Sequence, residues 1–432
     1  MGFHPDWPEI ADCINRSRKL LIKKLSRNDC SWADDPSKHQ AGFYVPASIQ
    51  ESHFFPELKN TNPEKPHIYD ALIHTFWPAS GELRESALKH YSNKGTEYHC
   101  TRIPKDQFAD LSPASLLIGG LLKEPIGPAS YWFIVIDSIS PEAEIVETTF
   151  SLESDFHFGL FSPDSLISPI SDDDRLIAEL RDALTSNVLE QYVAKQALPH
   201  PSELASRAQQ VWLTKNDASS LDPYSLEFPG DAVMAISRDI EFSIYKRAEL
   251  RQRASQALAL LTGSEDLAAS LVHRFKVLDQ IFLSAAQTRK SRAGLSFEHH
   301  IKRMLLDGNI RHEAQTPVGG RRPDFILPGI AELNNGNREA LILSLKTTLR
   351  ERWKQLGLER RHGAVFLATV DDRVSKPAID EMTRNDIILI VPESLKKSKE
   401  AVYEHAEDVI TFRQFFDDEV KRKRPSLLIP SI

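Results

Sequence analysis

Between Ser162 and Asp174 the chain turns to serine, proline and aspartate, in Ser162-Pro163-Asp164-Ser165 and again in Ser168-Pro169-Ile170-Ser171-Asp172-Asp173-Asp174. Proline lacks an N–H and fixes φ, while serine and aspartate side chains compete for backbone hydrogen bonds, so such a stretch resists both helix and sheet. It divides the 432 residues into two blocks, each long enough to bury a core of its own. Before it, short apolar runs separated by turn residues (Gly42 to Pro46, Ile68 to Phe76, Ser115 to Leu122, Tyr131 to Ile136) predict a β-rich domain over 1–161. Residues 162–221 read as a linker that carries a helical stretch from Arg175 to Gln196 and a second polar break from Pro199 to Pro223. From 222 to 432 helical periodicity gives way to alternating strands and helices, the pattern of an α/β domain.

No apolar run reaches the roughly 20 residues that cross a bilayer, and the N-terminus has neither the basic flank nor the apolar core of a secretory signal, which predicts a cytoplasmic protein. Three widely spaced cysteines, Cys13, Cys30 and Cys100, give neither a disulfide framework nor a zinc pattern. A net charge of −8 and a pI near 6.0 exclude a protein basic throughout, of the kind that coats nucleic acid. Positive charge is instead concentrated: between Gln287 and Arg322 stand eight lysines and arginines against three acids, Glu298, Asp307 and Glu313.

Two strands flank that basic run's end. Pro323-Asp324-Phe325-Ile326-Leu327-Pro328 reads as a short one and Ala340 to Lys346 as a longer one, with Asn334-Asn335-Gly336-Asn337 as the turn of an antiparallel hairpin. A hairpin symmetric about Asn335 sets Asp324 directly opposite Lys346. Hydrolysis of a phosphodiester needs carboxylates to hold a hard divalent cation and a positive group to hold the attacking water or the phosphate; Asp324 and Lys346 are of those kinds. A second carboxylate two residues before the lysine would be usual, but Ser344 stands there, and Glu359, on an expected helix after the strand, is the candidate replacement. Glu298, placed near the start of a helix whose apolar face is Phe297, Ile301, Met304 and Leu305, either aims into the same cleft or compensates the helix dipole. Taken singly, each of these residues has an ordinary surface or turn role; their conjunction is the signal.

The segments Arg289-Lys290-Ser291-Arg292-Ala293-Gly294, Ser296-Phe297-Glu298, Arg322-Pro323-Asp324-Phe325, Lys346-Thr347-Thr348 with Arg352-Trp353, and Val391-Pro392-Glu393-Ser394-Leu395 together resemble an EcoRII-type restriction endonuclease of the PD-(D/E)xK kind over residues 222 to 400. The resemblance implies a restriction-endonuclease-like α/β catalytic domain, Mg2+ held by Asp324 and Glu359, catalysis by these with Lys346, and assistance from Glu298 and Arg289. It also implies base reading by Arg350-Glu351-Arg352. An arginine fork suits guanine O6 and N7, and a carboxylate accepts from cytosine N4, so a CC:GG element is expected; without the catalytic context the triplet reads sooner as the charged start of a solvated helix. A palindromic site implies a homodimer.

In the N-terminal block, Lys24-Leu25-Ser26 with Asn28-Asp29, His39 to Pro46, Tyr91-Ser92-Asn93, and Gly95-Thr96-Glu97 through Thr101-Arg102 resemble the effector domain of the same family, a DNA-binding pseudobarrel. That likeness implies a second, effector double-stranded DNA held by Lys24, His39, Tyr91, Asn93, Lys94, Glu97 and Arg102, and repression of the nuclease until DNA is bound. A repair nicking nuclease and a catalytically silent DNA-binding regulator are the alternatives.

Overall fold

The computed structural model describes residues 7–35, 37, 41–93, 95, 98–150, 152–163, 172–262, 266–315, 322–349 and 364–429, without the side chains of 7, 148, 172–174, 282, 285–291 and 293. The chain folds as two compact units: Met1–Ser168 with Asp372–Ser375 and Ser398–Glu404, and Pro169–Asp371 with Lys376–Lys397 and His405–Ile432. No helix among the described residues is long and apolar enough to cross a membrane.

The first unit is β-rich. Its strands are β1 (Ser17–Lys24), β2 (Phe43–Val45), β3 (Ile68–Trp77), β4 (Glu82–Tyr91), β5 (Tyr98–Thr101), β6 (Leu116–Ile126), β7 (Ala129–Ile136) and β8 (Phe158–Phe161). They form one sheet in the order β2-β5-β4-β3-β7-β6-β1-β8, antiparallel except for β3 with β7. The run Tyr131 to Ile136 is continuously apolar because both faces of β7 are covered: Tyr131, Phe133 and Val135 join one core with Leu21, Phe43 and Leu117, while Trp132, Ile134 and Ile136 join another with Leu20, Ile22 and Ile118. Gly120 leaves the space in which the Trp132 indole donates to Ser17 Oγ at 2.7 Å. Asp29 ties the helix Arg27–Asp34 to the sheet. Its carboxylate completes the capping box with Ser26, accepts from the Tyr44 N–H at 2.7 Å and pairs with buried Lys23 at 2.6 Å.

The second unit is α/β. Its strands are β9 (Glu313–Ala314), β10 (Phe325–Leu327), β11 (Leu341–Lys346), β12 (Ala364–Thr369), β13 (Ile387–Val391) and β14 (Val409–Thr411), ordered β14-β13-β12-β11-β10-β9. The pairs from β9 to β11 are antiparallel and those from β11 to β14 parallel. Buried Phe297, Ile301, Met304 and Leu305 form the expected apolar face on the helix Leu267–Asp307.

The stretch from Pro199 to Pro223, read above as a polar break, contains the helix Pro201–Lys215. Proline sits at its first turn, where a missing N–H costs nothing, and His200 caps it by accepting from the Ser202 N–H. Leu204, Ala205, Ala208 and Leu213 are buried, and Gln209 Nε2 lies 3.0 Å from Nδ1 of the fully buried His300. The helices Asp172–Thr185 and Leu189–Lys195 join the same unit: Tyr192 donates to Glu179 at 2.9 Å, and Arg251 of the helix Phe242–Leu261 reaches both. Much of the expected linker thus belongs to the second unit.

Candidate active site

The site is built at the end of the hairpin. In the ladder, Phe325 stands opposite Leu343, Ile326 opposite Ile342 and Leu327 opposite Leu341. Continued by one residue, that register sets Asp324 against Ser344, two places from Lys346. The expected turn symmetry fails because a helical turn, Ile330–Asn334, takes up chain between the strands before the left-handed Gly336. A shift of two residues conserves the face of a strand, however, so Asp324 and Lys346 remain diagonal neighbours on one side of the sheet.

Their side chains meet there. Asp324 Oδ2 accepts the Leu345 N–H at 2.6 Å and lies 3.4 Å from Lys346 Nζ. The ammonium also donates to the Leu345 carbonyl at 2.7 Å. With the Asp324 side chain 11% exposed and that of Lys346 31%, the pair sits at the rim of the core, anchored below and open to a ligand above. Buried Ser344 fills the position where a second acid is usual in such nucleases.

Glu298 is a neighbour of this pair. It lies late in a 41-residue helix rather than near a helix start, so compensation of an N-terminal dipole does not account for it. Burial first, and the negative charge of Asp324 second, push its carboxyl above the ordinary carboxylate range, with Lys346 and Gln315 pulling the other way. Two acids drawn together in a half-buried cleft, with one cation near, make a donor set that fits a divalent ion, whose charge would relieve their repulsion. Among the described residues no group of three or more metal-ligating side chains occurs.

Gln315 escaped the sequence reading. Its Nε2 donates to Glu298 at 2.9 Å, its backbone N–H donates to the Asp324 carbonyl at 3.1 Å, and its φ of 53° lies in the left-handed region that a glutamine seldom adopts. One strained residue therefore bonds to both acids.

Glu359 and the triplet Arg350-Glu351-Arg352 lie outside the described residues, and of Arg289 only the backbone is described, on the same helix as Glu298. Glu393, one of the motif residues, is buried away from solvent and accepts from the backbone N–H groups of Gly230, Asp231 and Arg413 at 2.9, 3.1 and 2.8 Å, a structural knot. In the first unit the expected effector residues are scattered. Lys24 is buried and paired with Asp372 at 3.2 Å, so it reaches DNA only by breaking that pair. Tyr91 ends β4 and Asn93 is exposed in the turn beyond it. Arg102 follows β5, paired with Glu85 at 3.2 Å, and so lies toward the other end of the β4–β5 ladder. His39, Lys94 and Glu97 lie outside the described residues.

Residues 242–416, which contain Glu298, Gln315, Asp324 and Lys346, match the protein-family model described as EcoRII C terminal. That stretch resembles the C-terminal domain of EcoRII-type restriction endonucleases. The chain is 26% identical over 417 residues to the type II restriction enzyme EcoRII of Escherichia coli, across 93% of each chain. It is also 27% identical over 154 residues to the type II restriction enzyme SsoII of Shigella sonnei, across 33% of this chain and 50% of that one. Among solved structures, metal-depleted Ecl18kI in complex with uncleaved, modified DNA aligns with a TM-score of 0.47 and 19% identity, over 61% of this chain and 88% of that one. The acid–lysine juxtaposition falls inside the matched stretch, in the part of it that belongs to the second unit.

Proposed function

We propose that this chain is a cytoplasmic, magnesium-dependent type II restriction endonuclease that hydrolyses both strands of double-stranded DNA at a site containing CC:GG, acting as a homodimer. The observation that carries the reading is the meeting of Asp324, Lys346 and Glu298 at the end of one hairpin, inside the region that matches the family. Asp324 and Glu359 would hold the Mg2+, which when bound supplies positive charge to the phosphate under attack. Lys346 holds and polarises the attacking water or the phosphate. Glu298 and Arg289 assist, Glu298 as an ionised carboxylate beside Asp324 and Lys346. Arg350, Glu351 and Arg352 read the bases, and the N-terminal unit binds a second DNA copy and restrains cleavage until it does. The likeness to the type II restriction enzyme EcoRII extends over 93% of the chain and so includes the N-terminal unit.

Digesting genomic DNA with the purified chain and sequencing the cut ends tests the proposal. Ends sharing one CC:GG-containing sequence, formed only with a divalent metal, are the expected result. Nicks in one strand would point to a processing nuclease, and specific binding without cutting would identify a silent regulator.

A further inference from the structure

Two buried carboxylates hold the backbone where it leaves β11. Asp324 accepts the Leu345 N–H at 2.6 Å, and four residues on Asp371 Oδ2 accepts the Leu349 N–H at 2.8 Å. Asp371 and Leu349 are both buried. Asp371 stands just beyond β12, whose last residue, Thr369, is in register with Lys346 at the end of β11. Its carboxylate therefore comes from the same end of the two parallel strands as the lysine of the site. Asp371 is itself fixed: its N–H donates to Thr369 Oγ1 at 3.0 Å, and the carbonyl of the same peptide unit, that of Val370, accepts from Arg238 at 3.1 Å. A buried N–H must find some acceptor, and a charged carboxylate makes a bond roughly twice as strong as a neutral one. The residue that follows Leu349 is Arg350.

We propose that Asp371 is a positioning residue for base reading: by holding the Leu349 N–H it sets where the backbone enters Arg350-Glu351-Arg352. The inference rests on the reading of that triplet as the base reader and names the group that aims it. A bidentate arginine contact discriminates between bases only within a narrow geometry, which neighbouring hydrogen bonds must hold in place. An arginine on an unanchored backbone would spend part of its binding energy on ordering the chain. Only Thr347 and Thr348 separate Lys346 from the buried leucine. With Asp324 holding Leu345 and Asp371 holding Leu349, one short span fixes the entry to the triplet relative to the lysine that acts on the phosphate.

The test compares cutting rates of the full chain on two duplexes, one carrying the site read from the sequenced ends and one with a guanine of that site replaced. Asp371→Ala is expected to lower the ratio of the two rates about tenfold or more. Asp371→Asn keeps an oxygen that accepts the Leu349 N–H and should retain most of the ratio. In a chain that already carries Arg350→Ala, adding Asp371→Ala should lower the ratio no further, because a residue that acts through Arg350 then has nothing left to aim. Should Asp371→Ala fail to fold, Thr369→Val, which removes the acceptor of the Asp371 N–H and keeps the side chain's shape, should shift the ratio in the same direction. A loss of rate equal on both duplexes would mean that Asp371 only supports the fold, and would overturn the proposal. So would a wild-type ratio in Asp371→Ala or Thr369→Val, an Asp371→Asn as unselective as Asp371→Ala, or an additive loss in the double variant. A wild-type ratio in Arg350→Ala would instead remove the base-reading assignment, and this inference with it.

Discussion

At the scale of single residues the centre of the site was half legible. The lysine and the aspartate were recoverable because parity along a strand depends on the residue count and survives a slip of two, so an assumed turn of the wrong shape still placed Asp324 and Lys346 on one face. Gln315 was not recoverable, since its role arises from a left-handed backbone that nothing in Glu313-Ala314-Gln315 announces. Its hydrogen bond favours the ionised form of Glu298 against burial and the charge of Asp324. Removing that bond in Gln315→Ala raises the Glu298 pKa further. Where ionised Glu298 is needed for cutting, activity that grows as pH rises through this pKa then grows at higher pH, so the acid limb of the rate profile moves toward neutrality. Superimposable profiles for variant and wild type would show that the bond has no such effect. For base reading, Arg350→Ala or Arg352→Ala should cost about 1–3 kcal/mol of discrimination per lost bidentate contact. Competition binding with cognate and scrambled duplexes measures it, and an equal loss on both would reduce these arginines to phosphate contacts.

Elements were legible where periodicity was strong and obscure where prolines interrupted it. The apolar face of Phe297, Ile301, Met304 and Leu305 and the strand Leu341–Lys346 follow from pattern alone. The helix Pro201–Lys215 did not, because a proline at the first turn of a helix carries the same letter as a proline that ends one. Motif and mechanism also part company at Glu393, whose carboxylate satisfies three backbone donors at the start of two short helices. Glu393→Ala leaves those donors buried without a partner and should cost the fold about 1–3 kcal/mol for each that water does not reach. The midpoint of urea unfolding, followed at constant slope, measures that loss. An unchanged midpoint would mean that solvent replaces the carboxylate at little expense.

For the whole molecule, composition announced two units correctly in kind, β-rich then α/β, but the Ser/Pro/Asp-rich stretch marks only the beginning of the passage between them. Helices from Asp172 onward pack with the second unit through Gln209, Tyr192 and Arg251. A chain shortened to begin at Asp172 is therefore expected to fold and, where the N-terminal unit restrains the enzyme, to cut one-site DNA faster than the full chain. One beginning at Pro223 lacks the helix that buries Leu204, Ala208 and Leu213 and should unfold at a lower temperature. Equal cutting rates for the full and Asp172 chains, with no stimulation by added cognate duplex, would remove the proposed restraint. The central claim, that Asp324 and Lys346 act on metal and phosphate rather than on bases or on folding, is tested most directly by comparing cleavage and cognate-duplex affinity in Asp324→Asn and Lys346→Ala with the wild-type chain. The account predicts a loss of roughly 10²–10³-fold or more in the cleavage rate, with sequence-specific binding and the thermal midpoint retained. Wild-type turnover in either variant would contradict it.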